Sequence, residues 1–424
     1  MSALLIALLA CSGADKTGGE DSGASADTAD SGDTGDSGGT TDTADTADTA
    51  DSSPTGGACE LDGPQALFTG TDGASLDLTE IFLAAAPDAP IEVGLYDPGL
   101  LTICPGEWHI YIRVESDVVI RGAGAASTTL DAGRASAVIR TKGDYQLDVQ
   151  GLTLRGGLSQ HGGGLYATNG ASLRVTDCVI EDNTVDLDGH GGGICVSERS
   201  EAALVGVTFR GNSASEGGGL AVMDSAASLV DVVFEDNAVE GSYFPGYGGG
   251  LFTEGSTVAI NGATFRGNHA ASDGGGMAVW YGSTVSLQDS AFTGNTASDG
   301  AGLHVLFGEV TASGLELMGN TAEGRGGGAQ IRYGALTLSA SELSDNAAGG
   351  GGGLALEEAS LALSAVEVTG NRADEGGGLY LGAYSVASGV DCELSSNTPD
   401  DLFHSVHGAQ TPGASFTCDS KGCR

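Results

Sequence analysis

The chain has 424 residues, with 57 acidic and 16 basic side chains and a formal net charge of −41. Such a charge repels phosphate backbones and anionic lipid headgroups, so nucleic acid is excluded as a partner. Glycine contributes 73 residues but does not recur at every third position, and there are only 9 prolines, so collagen is excluded too. Apolar residues make up 40% of the chain, which is enough to form a core.

Residues 1–10 contain a short apolar run, Ala3 to Ala10, which Cys11 follows. As a helix this run spans about 12 Å, far less than the ~30 Å core of a bilayer, so it predicts a secretory signal peptide. Its end, Leu8-Leu9-Ala10-Cys11, resembles the lipobox of bacterial lipoproteins. That resemblance implies a lipidated Cys11 and a place in the bacterial cell envelope, at the outer membrane or cell surface. No Lys or Arg precedes the run, so an ordinary signal peptide is the alternative.

Residues 11–58 form a segment of low complexity. After Cys11 they include eleven acidic residues, one lysine and no aliphatic side chain larger than alanine. Such a segment buries too little surface to offset its ordering entropy, and its charges repel one another. Isolated aspartates do not form the oxygen cage that Ca²⁺ requires, which disfavours a calcium-binding tail. We therefore expect a disordered acidic tether that holds a domain away from a membrane.

Residues 59–116 are predicted to form an N-terminal cap and a first coil. Leu78 to Ala86 predict a short helix, which Pro87 ends. This helix would cover the open sheet edge at the start of the domain. Cys59 and Cys104 are candidates for a disulfide in the cap, because an exported compartment permits disulfides.

Residues 117–400 are organised as repeats, of which nine, from Gly162 onward, share one pattern. Each unit opens with a glycine-rich triplet and closes on an asparagine that follows a large apolar residue by three positions, as in Phe209-Arg210-Gly211-Asn212. Stretches such as Leu220 to Val222 alternate with a period of two, which is typical of strands. The closing asparagines are Asn183, Asn212, Asn237, Asn268, Asn295, Asn320, Asn346, Asn371 and Asn397.

A unit of this length cannot form its own core, so successive units must stack. The sequence predicts an all-β fold, a right-handed single-stranded parallel β-helix of about 12 coils that rise by about 4.8 Å each. The phenylalanine column fills the interior. The asparagine column forms a ladder at a bend, where asparagine tolerates the left-handed backbone conformation. Residues 401–424 are predicted to be a C-terminal cap or tail.

The pairing of Gly-Gly-Gly-Leu with Phe-x-x-Asn resembles the polymorphic outer-membrane protein repeat of the chlamydial type. The resemblance covers Gly162 to Asn397, with Gly where that family has Ala. Residues 117–157 also resemble the entry coils of right-handed β-helices. The resemblance implies a surface protein. Many members of that family end in an outer-membrane barrel, and we expect the lipid on Cys11 to replace the barrel as anchor.

The other cysteines are assigned from their positions. Cys178 and Cys392 lie five residues before the repeat asparagine, where alternation points them inward, so buried free thiols are expected. Cys418 and Cys423 bracket a polar tail and are candidates for a small disulfide loop.

One cluster of aromatic residues is a candidate binding site. Tyr281, Phe307 and Tyr333 occupy equivalent positions in three consecutive coils, and Trp280 and Arg332 lie beside them, although aromatic residues are only 5% of the chain. We expect a vertical ladder of rings. Exposed aromatic rings bind sugar faces and anchor protein interfaces. The structural alternative is that the rings only seal the corner of the coil.

A second column is a candidate metal site. His161, His190 and Glu216 each precede a glycine triplet in consecutive coils. Outward-pointing side chains about 4.8 Å apart would reach one ion. A solvated corner with two unrelated histidines is the favoured interpretation, so neither a metal nor a cofactor is predicted.

These observations predict a monomeric, membrane-anchored lipoprotein whose β-helix is a non-catalytic binding or adhesion module for glycans or surface proteins. The alternative is a polysaccharide lyase or glycoside hydrolase. A lyase needs clustered carboxylates for Ca²⁺ and an arginine or lysine base, and a hydrolase needs two or three aspartates at a fixed separation. Glu181-Asp182, Glu235-Asp236 and Asp345 lie in non-adjacent coils, and no cluster anchored by arginine is evident. No catalytic residue is therefore predicted. A purely structural role in the envelope is a third possibility.

Overall fold

The computed structural model of the chain describes residues 8–9, 59, 63, 65–241, 245–404 and 415–418. They form an all-β, right-handed parallel β-helix in which each coil contributes strands to three or four sheets. The predicted fold is confirmed. Cys11 and the tether lie outside the described residues, and so does the signal peptide apart from Leu8–Leu9.

The chain passes through the sheets in a constant order, and we number the sheets in that order from the glycine triplet. The first sheet has 14 strands. They are Leu8–Leu9, Ile91–Leu95, Ile110–Val114, Ile139–Lys142, Leu165–Thr168, Ile194–Ser197, Leu220–Met223, Leu251–Glu254, Met277–Trp280, Leu303–Leu306, Ala329–Arg332, Leu354–Glu357, Leu379–Leu381 and Leu402–His404.

The second sheet has 15 strands. They are Ala66–Gly70, Ser75–Asp77, Gly99–Ile103, Val118–Arg121, Gln146–Gln150, Ser172–Thr176, Glu201–Val205, Ala226–Val230, Thr257–Asn261, Thr284–Gln288, Glu309–Ser313, Ala335–Ser339, Ser360–Ser364, Val386–Val390 and Ser415–Cys418. Its pairings are parallel except for those that Ala66–Gly70 makes with its two neighbours.

The third sheet has 12 strands, in agreement with the expected number of coils. They are Gly106–Trp108, Thr128–Asp131, Thr153–Arg155, Val179–Glu181, Thr208–Arg210, Val233–Glu235, Thr264–Arg266, Ala291–Thr293, Glu316–Met318, Glu342–Ser344, Glu367–Thr369 and Glu393–Ser395. The fourth has 7 strands. They are Leu158–His161, Thr184–His190, Ser213–Ala214, Ala238–Val239, His269–Ala270, Thr296–Ala297 and Thr321–Ala322.

The phenylalanine column lies in the interior, as predicted. Phe209, Phe234, Phe265 and Phe292 are fully buried. Their rings stack with centroids 4.8, 4.6 and 4.2 Å apart and planes within 7° of parallel. The in-register pairing of the third sheet brings these equivalent rings together.

The repeat asparagines form one continuous hydrogen-bonded ladder. The Nδ2 of Asn212 donates to Oδ1 of Asn237 at 2.9 Å, and the backbone N–H of Asn212 donates to the same oxygen at 3.1 Å. Each Nδ2 also donates to a main-chain carbonyl of the preceding coil, as that of Asn237 does to Phe209. The ladder ends where Asp401 Oδ1 accepts from Asn397. Every side-chain amide of the ladder is thereby satisfied, as burial requires.

The predicted backbone conformation of the ladder was wrong. Among the described residues, the left-handed conformation falls on the residue before each asparagine, as in Gly211 (φ 61°), Asp236 (φ 53°) and Gly267 (φ 63°). The chain turns at that residue, and the asparagine side chain then points into the bend. Glycine and aspartate are residues that adopt this conformation at low cost.

Aspartate and glycine alternate at the corner that precedes six consecutive strands of the third sheet, whereas the next two coils hold Ala340 and Ala365 there. In consecutive coils this left-handed position holds Asp177, Gly206, Asp231, Gly262, Asp289 and Gly314. A Cβ on Gly262 would lie 2.6 Å from Oδ1 of Asp231, and one on Gly314 would lie 2.4 Å from Oδ1 of Asp289. Each carboxylate leans over the equivalent residue of the next coil, so only glycine fits there.

The glycine triplets allow coils to approach closely, as expected. A Cβ on Gly218 or Gly219 would lie 2.4 or 2.7 Å from a carbonyl oxygen of the next coil. The first glycine of each triplet has positive φ, for example 64° at Gly217. The sharp corner and the close contact both require glycine.

The N-terminal cap contains the expected helix, at Thr79–Ala84 rather than over residues 78–86. Its Phe82 is buried and packs edge-on against Trp108, with centroids 5.6 Å apart. Cys59 and Cys104 form the predicted disulfide.

Three cysteines are buried free thiols. This confirms the expectation for Cys178 and Cys392 and adds Cys195. Burial raises the pKa of Cys178 to about 11 and that of Cys195 to about 12. These thiols therefore stay protonated and unreactive at neutral pH. The pairing expected for Cys423 lies outside the described residues.

The outer face of the third sheet carries a column of alternating charge. Equivalent positions in six consecutive coils hold Asp131, Arg155, Glu181, Arg210, Glu235 and Arg266. Arg155 lies 3.0 Å from Asp131, Arg266 lies 2.5 Å from Glu235, and Arg210 pairs with Glu181. The pairs are partly exposed and contribute roughly 0–1 kcal/mol each. If one coil were skipped in the stacking, residues of like charge would become neighbours in this column. The alternation of charge therefore favours the observed register of the coils.

We predict that Phe265→Ala lowers the free energy of unfolding by about 3–5 kcal/mol, because it leaves a cavity between two stacked rings. Chemical denaturation of both proteins measures the difference. A loss below about 1 kcal/mol would show that the column does not carry the core.

We predict that Gly262→Ala is destabilising for two separable reasons. The left-handed backbone costs alanine about 1–2 kcal/mol, and the new Cβ meets the Asp231 carboxylate. In an Asp231→Gly background only the backbone cost remains. A double-mutant cycle measured by denaturation should give a coupling of about 1 kcal/mol or more. Additive effects would mean that the aspartate does not impose the glycine.

Candidate functional site

The predicted aromatic ladder exists and lies at the corner between the first and second sheets. The rings of Tyr281 and Phe307 stack with centroids 5.5 Å apart, and those of Phe307 and Tyr333 with centroids 4.8 Å apart. The three residues are 48%, 48% and 39% exposed. The rings therefore do not close off the interior, which argues against a role in sealing the corner.

All three ladder residues have left-handed backbones. The φ angles are 34° at Tyr281, 53° at Phe307 and 53° at Tyr333. In the two preceding coils the same position holds Asp224 and Gly255, which are residues suited to positive φ. Bulky side chains are rare there, and such strain costs about 1–3 kcal/mol per residue. Strained residues that are also exposed indicate a binding function rather than a packing one.

Trp280 packs against the ladder and does not add a further ring to the stack. Its ring is half-buried and contacts Tyr247 and Phe252 at centroid distances of 4.0 and 5.6 Å. Tyr281 packs edge-on against it, with centroids 5.4 Å apart. Tyr247 therefore belongs to the site as well.

Arg332 lies at the C-terminal end of the ladder. Its guanidinium carbon is 6.0 Å from the Tyr333 ring centroid, and its Nε is 2.9 Å from Glu357 Oε2. Arg325 approaches the same carboxylate at 4.0 Å and lies over the ring of Tyr380. One carboxylate thus pairs with two guanidinium groups, closely with Arg332 and more distantly with Arg325, and both arginine side chains stay partly exposed.

Carboxylates also gather on the outer face of the first sheet, close to the ladder. Asp273 and Asp299 occupy equivalent positions in adjacent coils, where their backbones form a β-bridge. His304 Nδ1 lies 4.0 Å from Asp273 Oδ2. Burial, and then the charge of Asp299, raise the pKa of Asp273 to about 6. Burial lowers the pKa of the enclosed His304 to about 3, so this histidine is neutral.

Asp273 and Asp299 precede glycine triplets, whereas His304 lies in the strand that follows one, so a count within one column could not show this cluster. The expectation that no carboxylate cluster would be anchored by arginine was wrong elsewhere, at Glu107 and Asp131, which Arg155 joins. The acids that sequence analysis did examine have structural roles. Glu181 and Glu235 pair with arginines, and Asp182, Asp236 and Asp345 occupy left-handed corners.

The candidate metal residues adopt a geometry that does not suit a shared ion. The rings of His161 and His190 stack 5.1 Å apart with planes only 6° from parallel, and His190 Nδ1 lies 2.7 Å from Glu216. A metal lies in the plane of each coordinating imidazole, and two parallel, separated planes do not meet. Burial, and then the neighbouring His190, also lower the pKa of His161.

One group in the described part of the chain has its potential ligand atoms within 4.8 Å of one another, namely Glu107, His109 and Asp131. Arg155 Nη2 lies 2.8 Å from Glu107 and 3.0 Å from Asp131. The arginine already supplies the positive charge that a metal ion would bring.

A separate groove of about 1160 Å³ runs along the outer face of the second sheet near the N-terminal end. Its floor includes Val119, Asp148, Arg174 and Ala203, which are equivalent positions in consecutive coils. Burial raises the pKa of Asp148. None of the described residues lining this groove is aromatic. The groove is therefore distinct from the ladder, and column counting had not indicated it.

Comparison with protein families matches residues 130–306 to the right handed beta helix region. No curated protein and no solved structure is significantly similar to the chain. The described residues include no helix with the length and apolar character needed to cross a membrane. The family match supports the fold and leaves function to the site itself.

We predict that Asp273→Asn changes the pH dependence of stability. The folded state holds the Asp273 proton up to about pH 6, whereas the unfolded chain loses it near the usual pKa of 3.8. The wild type should therefore lose about 2–3 kcal/mol relative to the variant as pH rises from 4 to 7. Denaturation of both proteins at the two pH values measures this. Parallel pH profiles would contradict the burial of an ionisable Asp273.

Proposed function

We propose that the protein is a lipid-anchored bacterial envelope lipoprotein whose β-helix is a non-catalytic binding or adhesion module. The observation that carries this proposal is the ladder of Tyr281, Phe307 and Tyr333. Its rings are exposed and its backbones are strained in three consecutive coils. Neighbouring coils show that the corner folds with aspartate or glycine at this position, so the rings are not needed for the fold.

The chemistry of the ladder suits a binding surface. Tyrosine and phenylalanine bring a large contact area with few rotatable bonds, and aromatic residues are common anchors of interfaces. The parallel sheet holds the rings in fixed register, since the backbones on either side are paired coil to coil. A partner would therefore meet a preorganised row and would lose little affinity to ordering of the protein.

The anchoring part of the proposal depends on Cys11, which lies outside the described residues. Its support is the resemblance of Leu8-Leu9-Ala10-Cys11 to a lipobox. The repeat's resemblance to chlamydial-type polymorphic outer-membrane proteins adds the expectation of a surface location. In this arrangement residues 11–58 separate the binding surface from the membrane.

One observation favours a second candidate, a glycoside hydrolase. Asp273 holds its proton to about pH 6, and a backbone bridge places Asp299 at the equivalent position of the next coil, so the two are candidates for an acid and its partner carboxylate. In that reaction Asp273 would protonate the glycosidic oxygen while Asp299 activates water for attack on the anomeric carbon. Against it, the Asp273 side chain is only 15% exposed, so a sugar has little access.

We predict that substituting asparagine for all three ladder residues removes binding without unfolding the protein. Relief of left-handed strain, about 1–2 kcal/mol per residue, offsets ring contacts worth about 0.5–1.5 kcal/mol. The soluble full chain carrying Cys11→Ser would be screened against glycans, polysaccharides and proteins, and product release would be recorded. Val386→Ser/Val390→Ser, which alters two exposed valines elsewhere, is the matched control.

The outcomes of that screen separate the candidates. A ligand that binds the control but not the ladder variant supports the binding module. Release of new reducing ends, lost in Asp273→Asn, would establish the hydrolase instead. A loss of more than about 3 kcal/mol of stability in the ladder variant would show that the rings serve the fold.

We predict that Cys11→Ser releases the protein from membranes, because no acylated residue then remains. Membrane pelleting, with labelled palmitate as a second readout, measures this. Unchanged pelleting, or an unlabelled wild type, would contradict the lipid anchor.

A further inference from the structure

We propose that the aromatic ladder docks a basic protein surface rather than a sugar chain. This inference rests on the proposed binding function and names the class of partner. Two properties of the site support it, namely the direction in which the rings are exposed and the charge around them.

The exposed parts of the ladder are mainly ring edges. A sugar binds an aromatic ring by lying on its face, and a sugar between two rings needs about 7–8 Å between their centroids, twice the contact distance of carbon atoms. The observed separations are 5.5 and 4.8 Å, with planes 14° and 10° from parallel. The inner faces are therefore closed. Only the outer faces of Tyr281 and Tyr333 remain, and they point in opposite directions along the helix axis.

A row of edges is instead suited to another protein. Aliphatic and aromatic side chains pack against ring edges in edge-to-face geometry, and such contacts anchor interfaces. The row spans three coils, or about 10 Å along the axis, which matches a few side chains of a partner rather than a long polymer.

The surroundings of the ladder are strongly acidic. Asp224 and Glu358 occupy ladder positions in nearby coils, and Glu309 begins the strand that follows Phe307; all three are exposed. Glu254 and Glu357 lie in the adjoining column. Arg332 and Arg325 are held by Glu357, and residues 220–360 contain no lysine.

The negative charge around the ladder favours a positively charged partner. Acidic glycans and acidic proteins are repelled, and a second copy of a chain with net charge −41 is repelled as well. A surface with lysine or arginine around an apolar centre would pair its cations with the acidic rim and pack its centre on the ring edges. We therefore infer a basic protein partner.

The test uses the full chain carrying Cys11→Ser and peptides of matched apolar content. One set contains leucine and phenylalanine with lysine, a second replaces lysine with serine, and a third replaces it with glutamate. Cello-, xylo- and chito-oligosaccharides and polygalacturonate form the sugar arm. Fluorescence anisotropy of labelled ligands gives the dissociation constants. Trp280 emission reports contact at the ladder, since this ring touches Tyr281.

We expect only the lysine peptides to bind. Their dissociation constant should rise at least tenfold in the variant with asparagine at all three ladder positions, and it should be unchanged in Val386→Ser/Val390→Ser. Glu309→Gln/Glu358→Gln should weaken this binding severalfold and reduce its dependence on salt. If sugars or glutamate peptides bind the parent protein and this binding is lost in the ladder variant, the inference of a basic partner is overturned, whereas the proposed binding module is supported. Lysine peptides that bind equally well to the ladder variant would overturn this inference, since net charge alone would then account for binding. If no ligand of any arm depends on the ladder, the proposed binding function fails as well.

Discussion

The structure depends on the stacking of equivalent residues in register. Every side chain in a parallel β-helix lies between the side chains at the same position in the coils before and after it. A residue type can therefore recur at one position only if two copies of it can pack side by side. Flat rings satisfy this rule by stacking, as Phe234 and Phe265 do. Amides satisfy it because each has both a donor and an acceptor, as Asn212 and Asn237 show. Carboxylates repel one another, and in two columns they alternate with glycine or arginine. Only an exposed column tolerates a run of them, as in Glu316, Glu342, Glu367 and Glu393.

That alternation explains much of the unusual composition. At left-handed corners an aspartate such as Asp231 is followed one coil later by a glycine such as Gly262, because the carboxylate fills the space that a Cβ would need. On the third sheet, acids alternate with arginines instead. In these columns an acidic residue has a structural role, so a lone carboxylate in this fold is weak evidence for catalysis.

The columns could be predicted from the sequence because nine repeats display each of them. The register of Phe209, the ladder that contains Asn212 and the buried thiol of Cys178 followed from counting alone. Counting could not show which residue of a Gly-Asn or Asp-Asn pair turns left-handed, since both adopt that conformation. It also treated columns separately, whereas Asp273 and His304 meet where two columns adjoin. The exposure and direction of the ladder rings required the coordinates.

In a repeat protein, positions where the residues depart from the recurring pattern are candidates for a functional role. The corner after the first sheet accepts Asp224 and Gly255 without strain, yet the next three coils place Tyr281, Phe307 and Tyr333 there. The fold gains little from this choice, because the rings are about half exposed and the backbone is strained. Other left-handed corners hold small or isolated residues such as Ala340, Arg199 and Tyr384, whereas the ladder places stacked rings at this position in three consecutive coils. A surface that is costly to form and unnecessary for the fold is best explained by a partner that binds it.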